Sequence, residues 1–74
     1  MQANMVDLSH DPSPELMRAV RAVLVLRGQS LGSWARANGV QRQNLCKAIL
    51  GEWDGPKARD LIDRLRNDLT PGGA

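Results

Sequence analysis

The stretch SWARANGVQRQNLCKAIL, residues 33–50, contains two short helix patterns with very few residues between them. The first pattern ends at Gly39, because glycine takes up the positive φ of a tight turn at no steric cost. The second pattern places Leu45, Ala48 and Ile49 on one side, which we expect to face a core. Two short helices joined by a glycine-containing turn are typical of a helix-turn-helix.

The spacing around the glycine supports this prediction. Ala35 is small where the two helices would approach most closely, and Val40 follows the glycine and can fill the corner. Leu45 and Ala48 come six and nine residues after Gly39, which is the spacing of a helix-turn-helix. The alternative is a plain four-helix bundle whose second connection happens to be short.

The rest of the chain predicts further helices and no sheet. Ser13 and Pro14 are suited to the start of a first helix that ends at Gly28, and Ser30 is suited to the N-cap of the second. A third helix is expected over 41–50. A fourth is expected from Gly55-Pro56, with a core face made of Ala58, Leu61, Ile62, Leu65 and Leu69. The predicted fold is all-α, a compact bundle of four to five helices that contains a helix-turn-helix.

The predicted organisation is a single domain with two tails. Residues 13–69 form the domain, residues 1–12 a flexible N-terminal tail and residues 70–74 a flexible C-terminal tail. Met5, Val6 and Leu8 could nevertheless dock on the core. Trp34 is expected in the core. Trp53 either caps the core or donates its indole N–H to a phosphate.

The composition excludes several classes of protein. A single cysteine, Cys46, cannot form an internal disulfide and fits a reducing compartment. No apolar run reaches the ~20 residues of a membrane span, and the N-terminus lacks the features of a signal peptide. His10 has no partner at metal-ligand spacing, so neither a metal nor a cofactor is expected. We therefore expect a cytoplasmic protein that is not an enzyme.

The charges are unevenly distributed along the chain. The formal net charge is only +2, but no Asp or Glu occurs in residues 16–51. The same segment carries the basic residues Arg18, Arg21, Arg27, Arg36, Arg42 and Lys47. A purely cationic half of a small domain is a reasonable site for a polyanion, although an ordinary solvated surface with uneven charge is the alternative.

The third helix has side chains suited to contacts with DNA bases. Arginine can donate two hydrogen bonds to guanine, and glutamine can bond adenine in a similar bidentate way. The expected base contacts are Gln41, Arg42, Gln43, Cys46 and Lys47. Basic and small polar residues nearby are expected to contact DNA phosphates; these are Arg27, Ser30, Ser33, Arg36 and Asn44.

A family resemblance points the same way. The segment LRGQSLGSWARANGVQRQNLCKAILGEWDGPKARDLIDRL, residues 26–65, resembles the lambda-repressor-like helix-turn-helix proteins, in particular the small phage regulators of the Ner and Cro types. The shared features are the LR-G-S-L lead-in, the glycine turn, and a tryptophan followed by glycine and proline. The resemblance implies a DNA-binding repressor of phage or prophage origin, with residues 31–38 as the supporting helix and the recognition helix starting at Gln41. Gln41 stands where many members have Ser or Thr.

Two other functions stay open, and so does the mode of assembly. The same helices could bind another protein, as an anti-repressor or a polymerase-binding factor does, or the chain could be an excisionase-like architectural DNA-binding protein. One recognition helix reads only a few base pairs, so a homodimer on double-stranded DNA is expected. The candidate contacts between copies are Val25, Leu26, Leu69 and the N-terminal residues Met5, Val6 and Leu8.

Overall fold

The computed structural model describes residues 8–70, and they form four α-helices: α1 Pro14–Leu26, α2 Leu31–Ala37, α3 Arg42–Leu50 and α4 Pro56–Leu69. No strand occurs among these residues. The all-α prediction is therefore confirmed. Of the four to five helices expected, these residues form four. α3 is the central element, because it packs against each of the other three helices.

The start of α1 is fixed by Ser13. Its Oγ accepts a hydrogen bond of 3.2 Å from the Leu16 N–H, as expected of an N-cap, and Pro14 occupies the first turn. The Ser13 backbone N–H donates to the Ile49 carbonyl at 2.8 Å. This bond joins the beginning of α1 to the last turn of α3, so the cap holds two helices together as well as starting one.

The connection between α2 and α3 is a tight turn closed by a backbone hydrogen bond. Gly39 has φ 72°, and the Val40 N–H donates back to the Ala35 carbonyl at 2.9 Å. This hydrogen-bond pattern ends a helix in the left-handed conformation and satisfies a carbonyl that the helix leaves unpaired. Gln41 is the N-cap of α3, but its side chain makes no capping bond. The start of α3 is therefore held by packing rather than by a cap.

The core is aliphatic apart from one indole. The largest fully buried side chains are Trp34, Leu16, Leu24, Leu45, Ile49, Leu65 and Val20. Trp34 is 1% exposed, which confirms its predicted place in the core. Trp53 is partly buried and packs against this cluster, so of its two predicted roles the structure supports the core contact. Leu69 is 2% exposed and lies on the buried face of α4, so it is not accessible for a contact between copies.

The segment before α1 lies against α4. Leu8 is buried, and Arg66 donates from Nε to the Leu8 carbonyl at 2.8 Å and from Nη2 to the His10 carbonyl. Leu8 thus docks on the core, one of the possibilities that the sequence leaves open. The bonds from Arg66 were not predictable, because they use backbone carbonyls, which leave no periodic pattern in a sequence. Residues 1–7 and 71–74, the outer parts of the two predicted tails, lie outside the described residues.

Candidate nucleic-acid interface

The first turn and a half of α3 presents a continuous polar surface. Gln41, Arg42, Gln43 and Asn44 are exposed, as is Lys47 one turn later. The buried side of the same helix consists of Leu45, Ala48 and Ile49, which anchor it in the core. The amphipathic division predicted for this helix is therefore confirmed, and the side chains expected to contact bases share its outer surface, with one exception.

The exception is Cys46. Its side chain is only partly exposed and packs against the hydrophobic cluster. It lies at the border between the buried and exposed sides of α3, so it projects less than Gln43 and Lys47 do. A small thiol at this position is better suited to packing against the core than to contacting a ligand in the solvent.

Arg27 is engaged within the protein rather than free for a ligand. Its Nη1 lies 3.4 Å from Oδ2 of Asp68 and donates to the Asp68 carbonyl at 3.0 Å. Both side chains are partly exposed, at 40% and 45%, so water screens the pair. The expected phosphate contact from Arg27 would have to compete with this ion pair.

The two serines of the expected phosphate set serve as caps. Ser30 Oγ accepts from the Ser33 N–H at 3.1 Å, and Ser33 Oγ accepts from the Ser30 N–H at 2.9 Å. The Ser33 hydroxyl also contacts the Ser30 carbonyl at 3.0 Å. This reciprocal capping box satisfies two N–H groups at the start of α2. The hydroxyls therefore stabilise α2, and the sequence pattern alone does not distinguish this role from a phosphate contact.

The other two expected phosphate contacts are accessible. Arg36 is exposed in the last turn of α2, and Asn44 is exposed in the first turn of α3. Arg36 forms no ion pair with any residue in the range 8–70. Both side chains remain available to a ligand that approaches the start of α3.

A cleft of about 310 Å³ lies beside the start of α3, and it brings together residues that are distant in the sequence. Its lining includes Arg42 from α3 and Arg21 from the middle of α1. Gln29 and Val25 also contribute to its surface. Arg21 was not among the site residues expected from the sequence. It reaches the cleft that Arg42 lines only because α1 packs against α3, and the sequence does not show that packing.

Outside this surface, the described residues offer little for other chemistry. Within residues 8–70, no group of three or more His, Cys, Asp or Glu side chains is arranged to hold a metal ion. None of the four helices has the length and apolar character needed to cross a bilayer. A second cleft, of about 420 Å³, is lined by Trp53, Val40 and residues of α4 and contains both charge signs.

Comparison with protein-family models, with curated proteins and with solved structures finds no match to this chain.

Proposed function

We propose that this chain is a sequence-specific DNA-binding regulator of transcription, a repressor of the phage or prophage type. In this proposal α2 and α3 form a helix-turn-helix, and the start of α3 enters the major groove of double-stranded DNA. The observation that carries the proposal is the exposed surface of α3, where amide and cationic side chains occur together with no acidic residue nearby in the sequence.

The side chains of that surface suit contacts with base edges. Gln43 and Lys47 are four residues apart, so they lie on the same side of the helix, one turn from each other. Glutamine can bond adenine through two atoms, and lysine can donate to guanine. Each good bidentate contact contributes roughly 1–3 kcal/mol of discrimination against the wrong base.

The distribution of unpaired charge favours a polyanion on the same side of the molecule. Of the six cations in residues 16–51, Arg27 pairs with Asp68 and Arg18 lies 3.9 Å from Glu15. The other four form no ion pair with any described residue; they are Arg21, Arg36, Arg42 and Lys47. By contrast, α4 carries acids and bases together, as expected for a solvated surface.

A homodimer is part of this proposal. Val25 and Leu26, at the end of α1, are 71% and 81% exposed and are the large apolar side chains left uncovered among the described residues. Two side chains form a small contact, well below the roughly 800 Å² per partner of a stable interface. We therefore expect weak association in solution, with binding to two half-sites supplying the remaining free energy.

The salt dependence of DNA binding tests the proposal. The full chain is titrated against a short fluorescent duplex of random sequence between about 50 and about 200 mM salt. If the unpaired cations contact phosphates, the logarithm of the binding constant should fall with the logarithm of salt, with a slope of about −0.9 for each phosphate contacted. The double variant Arg36→Glu and Lys47→Glu should abolish binding. The matched control Arg59→Ala, on α4, should leave it unchanged.

A flat salt dependence, or equal loss in the control and in the double variant, contradicts a DNA interface at α3. Circular dichroism of each variant shows whether the helices remain folded, so a loss of binding can be separated from a loss of structure.

A further inference from the structure

We infer that Arg21 and Arg42 together hold one DNA phosphate in the cleft between α1 and the start of α3. Arg42 then contacts the DNA backbone, in contrast to the base contact that its position on α3 predicts. The inference rests on the proposed function, because it concerns how that interface binds DNA. It adds Arg21 to the interface and leaves base recognition to Gln43 and Lys47.

The course of the Arg42 side chain is the first observation. A Cβ placed on Gly32 would lie 3.6 Å from Arg42 Cδ, so the Arg42 stem runs across the first turn of α2. The side chain therefore lies against the neighbouring helix and lines the cleft there.

The second observation is an uncompensated pair of positive charges. Arg21 and Arg42 line the same cleft, and neither forms an ion pair with any described residue. No acidic side chain contributes to the cleft lining. Two like charges at one site repel each other, so a bound anion stabilises both. A phosphodiester suits the site, because guanidinium groups donate paired hydrogen bonds to phosphate oxygens.

Gln29 provides the third observation. It lines the same cleft, and its Oε1 is buried without a hydrogen-bond donor among the described residues. A buried acceptor without a partner is costly, and a guanidinium N–H can supply the missing donor. Gln29 therefore favours a guanidinium head within the cleft and can orient it toward the bound phosphate.

A phosphate contact and a base contact have different consequences for binding. Phosphate contacts position a protein on the duplex and are insensitive to sequence, whereas base contacts discriminate between sequences. Removing a phosphate contact should weaken binding about equally on all sequences and reduce the salt slope by about 1. If two arginines share one phosphate, removing both should reduce the slope by no more than the contribution of one phosphate, about 0.9.

The experiment uses the full chain and a short random-sequence duplex, with the variants Arg21→Ala, Arg42→Ala and the double variant. We expect the double variant to reduce the salt slope by about 0.9, and each single variant, which keeps one arginine on the phosphate, to weaken binding while reducing the slope by less. Arg59→Ala, an exposed arginine on α4, is the control and should not change it. In parallel, each variant is used to select preferred sites from a random duplex pool. Arg21→Ala and Arg42→Ala should select the same sequence as the wild-type chain.

The outcomes separate the inference from the function on which it rests. If the wild-type chain binds DNA and the double variant behaves like Arg59→Ala, the shared phosphate is refuted while DNA binding stands. A slope reduced by about 1.8 in the double variant shows two separate phosphates and also contradicts the inference. A changed sequence preference in Arg42→Ala alone makes Arg42 a base contact. No binding by the wild-type chain overturns the proposed function itself.

Discussion

The indole Nε1 of Trp34 donates a hydrogen bond of 2.7 Å to Oδ2 of Asp68. Trp34 belongs to α2 and Asp68 to the last turn of α4, so this bond joins the two helices. The carboxylate also lies 3.4 Å from Nη1 of Arg27, just after α1. Asp68 thus connects three helices, and it fixes α2, on whose position the presentation of α3 depends.

Replacing this carboxylate should lower stability measurably. In Asp68→Ala the Trp34 N–H loses its acceptor, and we expect a loss of about 1–2 kcal/mol in the free energy of unfolding. The value is at the lower end of the usual range because the Asp68 side chain is 45% exposed and water can partly replace it. Asp68→Asn retains an oxygen acceptor and should lose about half as much. Urea denaturation followed by circular dichroism measures both, and the exposed Asp63→Ala should stay within about 0.5 kcal/mol of wild type.

Substitution by alanine at two of the glycines should change the stability of the fold in opposite directions. Gly39 has φ 72° and nothing within 4 Å of an added Cβ, so Gly39→Ala costs about 1–2 kcal/mol for backbone conformation alone. Gly32 lies within α2, and an added Cβ would make only an ordinary contact of 3.6 Å. Gly32→Ala should therefore raise stability by up to about 1 kcal/mol. Thermal unfolding of the two variants under identical conditions measures the difference, and a shared sign would contradict the described turn.

The helices were predictable because their signals are local. Ser13, Pro14 and Gly28 mark the ends of α1, and the periodic leucines of α4 mark its buried face. The same holds for the turn at Gly39, where one residue type meets a specific backbone requirement. Residues within a few positions of one another decide each of these features, so each could be predicted from a short stretch of sequence.

Contacts between distant residues were not predictable in this way. The bond from Trp34 to Asp68 and the bonds from Arg66 to the segment at Leu8 depend on how the helices pack. The proximity of Arg21 to Arg42 has the same origin. The N-cap role of Ser30 was predicted, but the reciprocal cap by Ser33 was not, since a serine hydroxyl also suits a phosphate contact.

The proposed dimer can be tested without disturbing the fold. Leu26 is 81% exposed and does not line the cleft between α1 and α3, so Leu26→Asn should change stability by no more than about 0.5 kcal/mol. It should, however, weaken binding to an inverted-repeat duplex while leaving binding to a single half-site unchanged. Sedimentation of the complexes gives the stoichiometry. Two chains of the variant bound as tightly as wild type would show that Leu26 does not form the contact.

Binding-site selection from a random duplex pool, performed with the wild-type chain and with Gln43→Ala, tests the central claim most directly. The wild-type chain should enrich an inverted repeat with half-sites about 10 base pairs apart, because two recognition helices of a symmetric dimer are separated by one turn of DNA. Gln43→Ala should enrich the same repeat with the preference lost at one position in each half-site. A pool that stays random with the wild-type chain, or an identical motif from both proteins, would contradict sequence recognition by α3.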